Sequence, residues 1–265
     1  MSSASEASYP SVEIHHRHGQ GAVVILCEHA SHHIPACYRA LGLAPAHRRS
    51  HAAWDPGARG VAVSLSKRLD APLVASRISR LVYDCNRPPE AESAMPARVE
   101  VIDVPGNRGL DAAQRAARVE SVYRPFCDAV TEVLAERRAR AIPTVLITIH
   151  SFTPRFHGER REVEIGILHD ADRRLADAML AQAHRLGQRC IRRNDPYGPE
   201  DGVTHSLELH GIGQGLANVM IEVRNDLLTT PEDQRGIAEE LCRLIHPALA
   251  TLGVASSPGE GAADA

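Results

Sequence analysis

Three short apolar runs constrain the fold most: AVVILCE (residues 22–28), TVLITI (144–149) and LANVMIEV (216–223). Each has the length and composition of a strand buried on both faces. Further strands are expected near residues 72–75, 80–83 and 163–168. Between them lie segments of helical pattern. Residues 57–69 space Val61, Leu65 and Leu69 to face a core. Residues 112–141 must kink or divide at Pro125. Residues 172–186 continue the series, and 231–252 open with Pro231 in the first turn. Strands alternating with helices over the whole length predict an α/β fold, with a mostly parallel or mixed sheet covered by helices on both faces.

The chain has 265 residues and no linker composition, so one catalytic domain is expected over residues 21–252. Residues 1–20 are polar, and His15, His16 and His18 fit a flexible arm better than a metal site. Residues 253–265 are small and polar and predict a disordered tail. Residues 88–109, rich in proline, glycine and charge, predict a long loop able to act as a lid.

Lysine and arginine number 30 against 33 aspartates and glutamates, a net charge of -3. This balance offers no basic field for nucleic acid and no charge block for a membrane surface. No stretch approaches the ~20 apolar residues of a membrane span, and the N-terminal segment lacks the apolar core of a signal peptide. The six cysteines (27, 37, 85, 127, 190, 242) show no C-x-x-C spacing. A soluble protein with reduced thiols, in the cytoplasm, is expected.

The three runs end in residues suited to metal chemistry: Glu28-His29 after the first, His150 after the second, and Glu222 at the close of the third. Ligands of open α/β sheets bind beyond the carboxyl ends of the strands, which predicts that these groups surround one crevice. A catalytic zinc takes three protein ligands from His and Asp/Glu and keeps a position for water. His29 and His150 supply two nitrogens. Asp55, in HAAWDPGA, is the preferred third ligand, its other reading being a helix N-cap. Glu28 and His32 are the alternatives. Glu222, on one strand face with Asn218 and Arg224, suits a general base for metal-activated water.

The segment SRLVYDCNRPP (79–89) crowds charge onto an apolar stretch. Arginine forks bind carboxylates bidentately, and alternate residues of a strand share a face. Arg80, Asp84 and Asn86 are therefore expected to project together toward a small anion. In DGVTH (201–205), Asp201 reads as a helix cap, and His205 is a candidate to orient substrate or a neighbouring side chain. There is no H-E-x-x-H, G-x-S-x-G or Walker A pattern, and the glycines of 211–215 precede a strand where a dinucleotide fingerprint follows one.

Seven blocks in order, CEHASHHIP, HAAWDPGA, SRLVYDCNRPP, IHSFTP, EIGIL, NDPYGPEDGVTH and GLANVMIEVRNDL, resemble the N-formylglutamate amidohydrolase family across about residues 23–244. The resemblance implies a fold similar to the zinc carboxypeptidases and aspartoacylase (phosphorylase/hydrolase-like). It also implies one zinc ion held by His29 and His150, Glu222 as base and then acid, Arg80 polarising the scissile carbonyl, and Asn86 and Arg87 holding a substrate carboxylate. Arg224 is a candidate for a second carboxylate. His32 stands where the wider carboxypeptidase group has its ligating glutamate, which leaves the third ligand open between Asp55, Glu28 and His32. The implied reaction is hydrolysis of a small anionic N-acyl amino acid, most simply N-formyl-L-glutamate to formate and L-glutamate. A deacylase, amidase or peptidase for another acyl substrate, or a non-catalytic metal- or anion-binding protein, would use the same residues.

Overall fold

A computed structural model describes residues 9–254. The strands are β1 (Val12–His15), β2 (Val23–Cys27), β3 (Leu73–Ser76), β4 (Arg98–Val99), β5 (Ile102–Asp103), β6 (Val145–Phe152), β7 (Arg155–Phe156), β8 (Glu159–Arg160), β9 (Ile165–Leu168), β10 (Ile191–Arg193) and β11 (Asn218–Arg224). The α-helices are α1 (Ala58–Arg68), α2 (Ala112–Arg118), α3 (Arg124–Ala139), α4 (Arg174–Leu180) and α5 (Pro231–Thr251). Seven strands form one mixed sheet in the order β1-β3-β2-β6-β11-β9-β10, while β4–β5 and β7–β8 are separate hairpins. The central β3, β2, β6 and β11 are mutually parallel, β1 and β9 pair antiparallel at either side, and β10 runs parallel to β9.

The alternation of β2 shows why its sequence is apolar throughout. Val23, Ile25 and Cys27 face a core shared with α1, α4 and α5, whereas Val24 and Leu26 face one shared with α3. Each fully buried aliphatic side chain contributes about 1.5–3 kcal/mol, so neither face tolerates a polar residue without a partner. The exceptions on the α3 face of the central strands are therefore informative. Leu26, Thr148 and Met220 occupy one level of that face by register. Two residues further along the strands stand Glu28, His150 and Glu222, at the sheet's carboxyl edge.

Two expectations are corrected. Residues 80–83 are turns, not a strand. Their backbone is satisfied locally, Val82 N–H donating to the Ser79 carbonyl, and by the buried side chains of Asn107 and Arg118 donating to the carbonyls of Leu81 and Val82. No neighbouring strand is needed. Part of the expected flexible arm is ordered: β1 pairs with β3 along Val12–His15, while residues 1–8, and 255–265 of the expected tail, lie outside the described residues. Pro125 sits in the first turn of α3, and the missing N–H is absorbed by a π-helical turn over Val119–Tyr123 that joins α2 to α3. Residues 88–109 are the expected long connection, carrying the β4–β5 hairpin. Among the described residues no helix is long and apolar enough to cross a membrane.

Candidate metal centre

Glu222 and His150 are direct register partners across β11 and β6. His29 reaches the same point from the turn after β2, and the Asp55 N–H donates to the His29 carbonyl at 2.9 Å, which draws the loop before α1 against it. Ser151 reinforces this contact, its Oγ donating to the Pro56 carbonyl at 2.8 Å. Asp55 is not a helix cap: the N-cap of α1 is Gly57, in the left-handed conformation at φ 83°, where Leu228 leaves no room for a Cβ.

Three ligand atoms converge. His150 Nδ1 lies 2.9 Å from Asp55 Oδ2 and 3.1 Å from His29 Nδ1, and His29 Nδ1 lies 3.2 Å from Asp55 Oδ2. An ion with bonds of about 2.0–2.2 Å at tetrahedral angles needs its ligand atoms about 3.3 Å apart. The triangle is close to that size, and all three residues are buried. Each imidazole also has a carboxylate behind it. His29 Nε2 donates to Asp84 Oδ1 at 2.6 Å, and His150 Nε2 stands 3.2 Å from Glu28 Oε2. Such partners orient a ligating histidine and set which nitrogen faces the metal.

The electrostatics call for a cation. Glu28, Asp55, Asp84 and Glu222 are at most 6% exposed, and the permanent positive charge beside them is Arg80, whose Nη2 donates to Asp84 at 2.7 Å and Nη1 to Asp55 at 3.4 Å. Burial opposes the charge on Asp84, but Arg80 and His29 outweigh it and hold the carboxyl well below its usual range. Burial likewise opposes protonation of His150, yet Glu28 and Asp55 hold its pKa well above the ordinary value. Burial raises the Glu222 carboxyl to about 7, and Asp55 adds to this against the pull of His150, His29 and Arg80. Its Oε2 is buried without a hydrogen-bond partner. Two nitrogens and a carboxylate oxygen around one point, beside an unsatisfied carboxylate, fit a divalent ion.

A cavity of about 320 Å³ opens onto this cluster and is lined by His29, Asp55, Arg80, Asn86, Arg87, His150 and Glu222. Asn86 and Arg87 enter it, with much of their hydrogen bonding committed to the loop opposite. Asn86 donates to the Val203 carbonyl at 2.6 Å and accepts from Ser206 N–H at 2.9 Å, and Arg87 donates to the Gly202 carbonyl at 2.7 Å. Two expected substrate residues are not brought in. Arg224 turns past the end of β11, where it donates to Asp226 at 2.8 Å and to the carbonyls of Arg161, Glu162 and Val163. His205 is stacked on Tyr123 and hydrogen-bonded to its hydroxyl at 2.8 Å. Of the alternative third ligands, Glu28 stands behind His150, and His32 is exposed against Trp54.

Asp84, expected only beside Arg80 and Asn86, stands behind His29, and its place four residues after Arg80 is the signal for it. Arg98, Glu100, His51 and Tyr197 also line the cavity. No hydrophobic periodicity marks them, because His51 and Tyr197 lie in loops and Arg98 and Glu100 in a short exposed hairpin.

The sequence matches the N-formylglutamate amidohydrolase family over residues 21–229. The fold is similar to the gene product Atu2144 of Agrobacterium tumefaciens, known from a crystal structure, at 54% identity and TM-score 0.91, covering 94% of this chain and 98% of that one. It is also similar to the crystal structure of the N-formylglutamate amidohydrolase of Ralstonia eutropha JMP134, at 17% identity and TM-score 0.67, covering 93% and 98%. No curated protein sequence matches. With the match spanning most of the described residues, the chain belongs to the N-formylglutamate amidohydrolase family, whose members are hydrolases acting on an amide.

Proposed function

We propose that the protein is a zinc-dependent amidohydrolase that cleaves N-formyl-L-glutamate to formate and L-glutamate. The observation that carries this reading is the convergence of His29 Nδ1, Asp55 Oδ2 and His150 Nδ1 within 3.2 Å of one another, on a cavity that also holds Glu222 and Arg80. His29, Asp55 and His150 would hold the ion. A bound zinc supplies Lewis-acid polarisation of the formyl carbonyl and lowers the pKa of water to about 7.

Glu222 takes a proton from the attacking water and later delivers it to the amine nitrogen as the C–N bond breaks. Its raised pKa suits both halves of that exchange. Arg80, held by Asp55 and Asp84, stabilises the oxyanion that develops on the formyl oxygen. Arg87 grips a substrate carboxylate, assisted by the second amide hydrogen of Asn86. Residues 21–252 act as one catalytic domain, and the mixed sheet with a metal cluster at its carboxyl edge supports a zinc carboxypeptidase-like arrangement. The free thiols, with Cys27, Cys85 and Cys242 buried, support a reduced, cytoplasmic setting.

Metal analysis of the purified protein combined with a formate-release assay tests this directly. The expected result is one zinc per chain and formate release that chelation abolishes and zinc restores. Turnover that survives complete metal removal overturns the metal-dependent reading, and release of a different acid from an N-acyl panel overturns the formyl substrate.

A further inference from the structure

N-formyl-L-glutamate carries two carboxylates, and recognition of both in one cavity calls for a cation at each. The arginines around the site divide cleanly. Arg224 faces away, bound to Asp226 and three carbonyls. Arg80 is engaged by Asp55 and Asp84 beside the metal cluster. Arg87 keeps donors beyond its two carbonyl contacts and serves one carboxylate. The remaining guanidinium on the cavity wall is Arg98.

Arg98 opens β4, on the connection that forms one wall of the cavity. Its Nε donates to the Glu100 carbonyl at 2.9 Å. No carboxylate among the described residues forms an ion pair with it, although Glu100 and Asp103 belong to the same hairpin and Asp103 pairs instead with Arg108. The hairpin is held in place rather than hung over the opening. Met95, Ile102 and Val104 are buried in the core beneath it, and Glu100 is bonded to His51 Nε2 at 3.0 Å. An exposed arginine on a cavity wall, with a hydrogen bond at its Nε and no ion pair among the described residues, is arranged to receive an anion.

We propose that Arg98 binds the side-chain carboxylate of the substrate while Arg87 binds the α-carboxylate, so that this hairpin makes the enzyme selective for acidic N-acyl amino acids over neutral ones. The proposal rests on the amidohydrolase reading and adds the substrate's second anchor. It replaces Arg224 in that part.

The test compares N-formyl-L-glutamate with the near-isosteric N-formyl-L-glutamine, in which a neutral carboxamide replaces the side-chain carboxylate. Wild type is expected to prefer the acid, and Arg98→Gln to reduce the ratio of kcat/KM for acid over amide by about 10- to 100-fold, the worth of a charge-assisted hydrogen bond, through KM of the acid. Arg98→Lys should restore part of the ratio. Calorimetry with L-glutamate, the product, reads the same subsite without turnover, and Arg98→Gln should weaken its binding by a similar factor. An unchanged ratio, or a loss equal on both substrates, overturns the assignment. If wild type releases formate from neither compound, the amidohydrolase reading fails and the subsite falls with it; if wild type cleaves both equally well, only the subsite falls.

Discussion

Glu222 and His150 stand side by side across β11 and β6, one a carboxylate with an unpartnered buried oxygen, the other contributing Nδ1 to the metal triangle. This register sets the proposed base next to a proposed metal ligand without making it one. Glu222→Gln keeps the shape and removes the base. It is expected to retain zinc and to lose about 10²–10⁴-fold in turnover. Metal analysis alongside kcat checks this, and near-normal turnover would remove Glu222 from the role. In the active enzyme kcat/KM should rise with pH as the carboxyl ionises, with the acid limb at or below about pH 7 because the ion's charge favours the carboxylate.

Asp84 bridges His29 Nε2 at 2.6 Å and Arg80 Nη2 at 2.7 Å. Asp84→Asn leaves the imidazole without its anionic partner and Arg80 with less compensation. Zinc affinity is expected to fall about 10- to 100-fold, read by competition with a chelator of known affinity. An affinity equal to wild type would mean that Asp84 serves Arg80 alone.

His210 is 5% exposed, and burial depresses its imidazole to about 4, with His205 adding to the effect against Glu28. In the unfolded chain the group titrates near 6.5. Between these values the unfolded state binds more protons, so stability is full above about pH 6.5 and is lost as pH falls toward 4. Denaturant melts at pH 7 and pH 5 should show wild type losing about 2 kcal/mol more than His210→Gln over that interval. Parallel stability–pH curves for the two proteins would refute it.

The apolar runs were legible because a strand buried on both faces admits few polar residues, and β2, β6 and β11 lie where their composition predicts. The polar residues breaking that pattern, His29, His150 and Glu222, were readable for the same reason. The segment around Arg80 was misread because its hydrogen-bond partners, Asn107 and Arg118, lie more than twenty residues away. Local pattern carries no trace of such partners.

Alone, the sequence determined that the three apolar runs become strands and that each ends in a charged or ligating residue, since burial acts on each residue where it stands. It also marked Asp55 as a candidate ligand. Only the tertiary structure decided that Asp55 leaves helix capping to Gly57 and points at the two imidazoles, that Asp84 supports His29, and that Arg98 rather than Arg224 faces the cavity. Those outcomes depend on how loops far apart in the chain pack across the sheet edge, and a side chain's direction there is set by neighbours that its own segment does not encode.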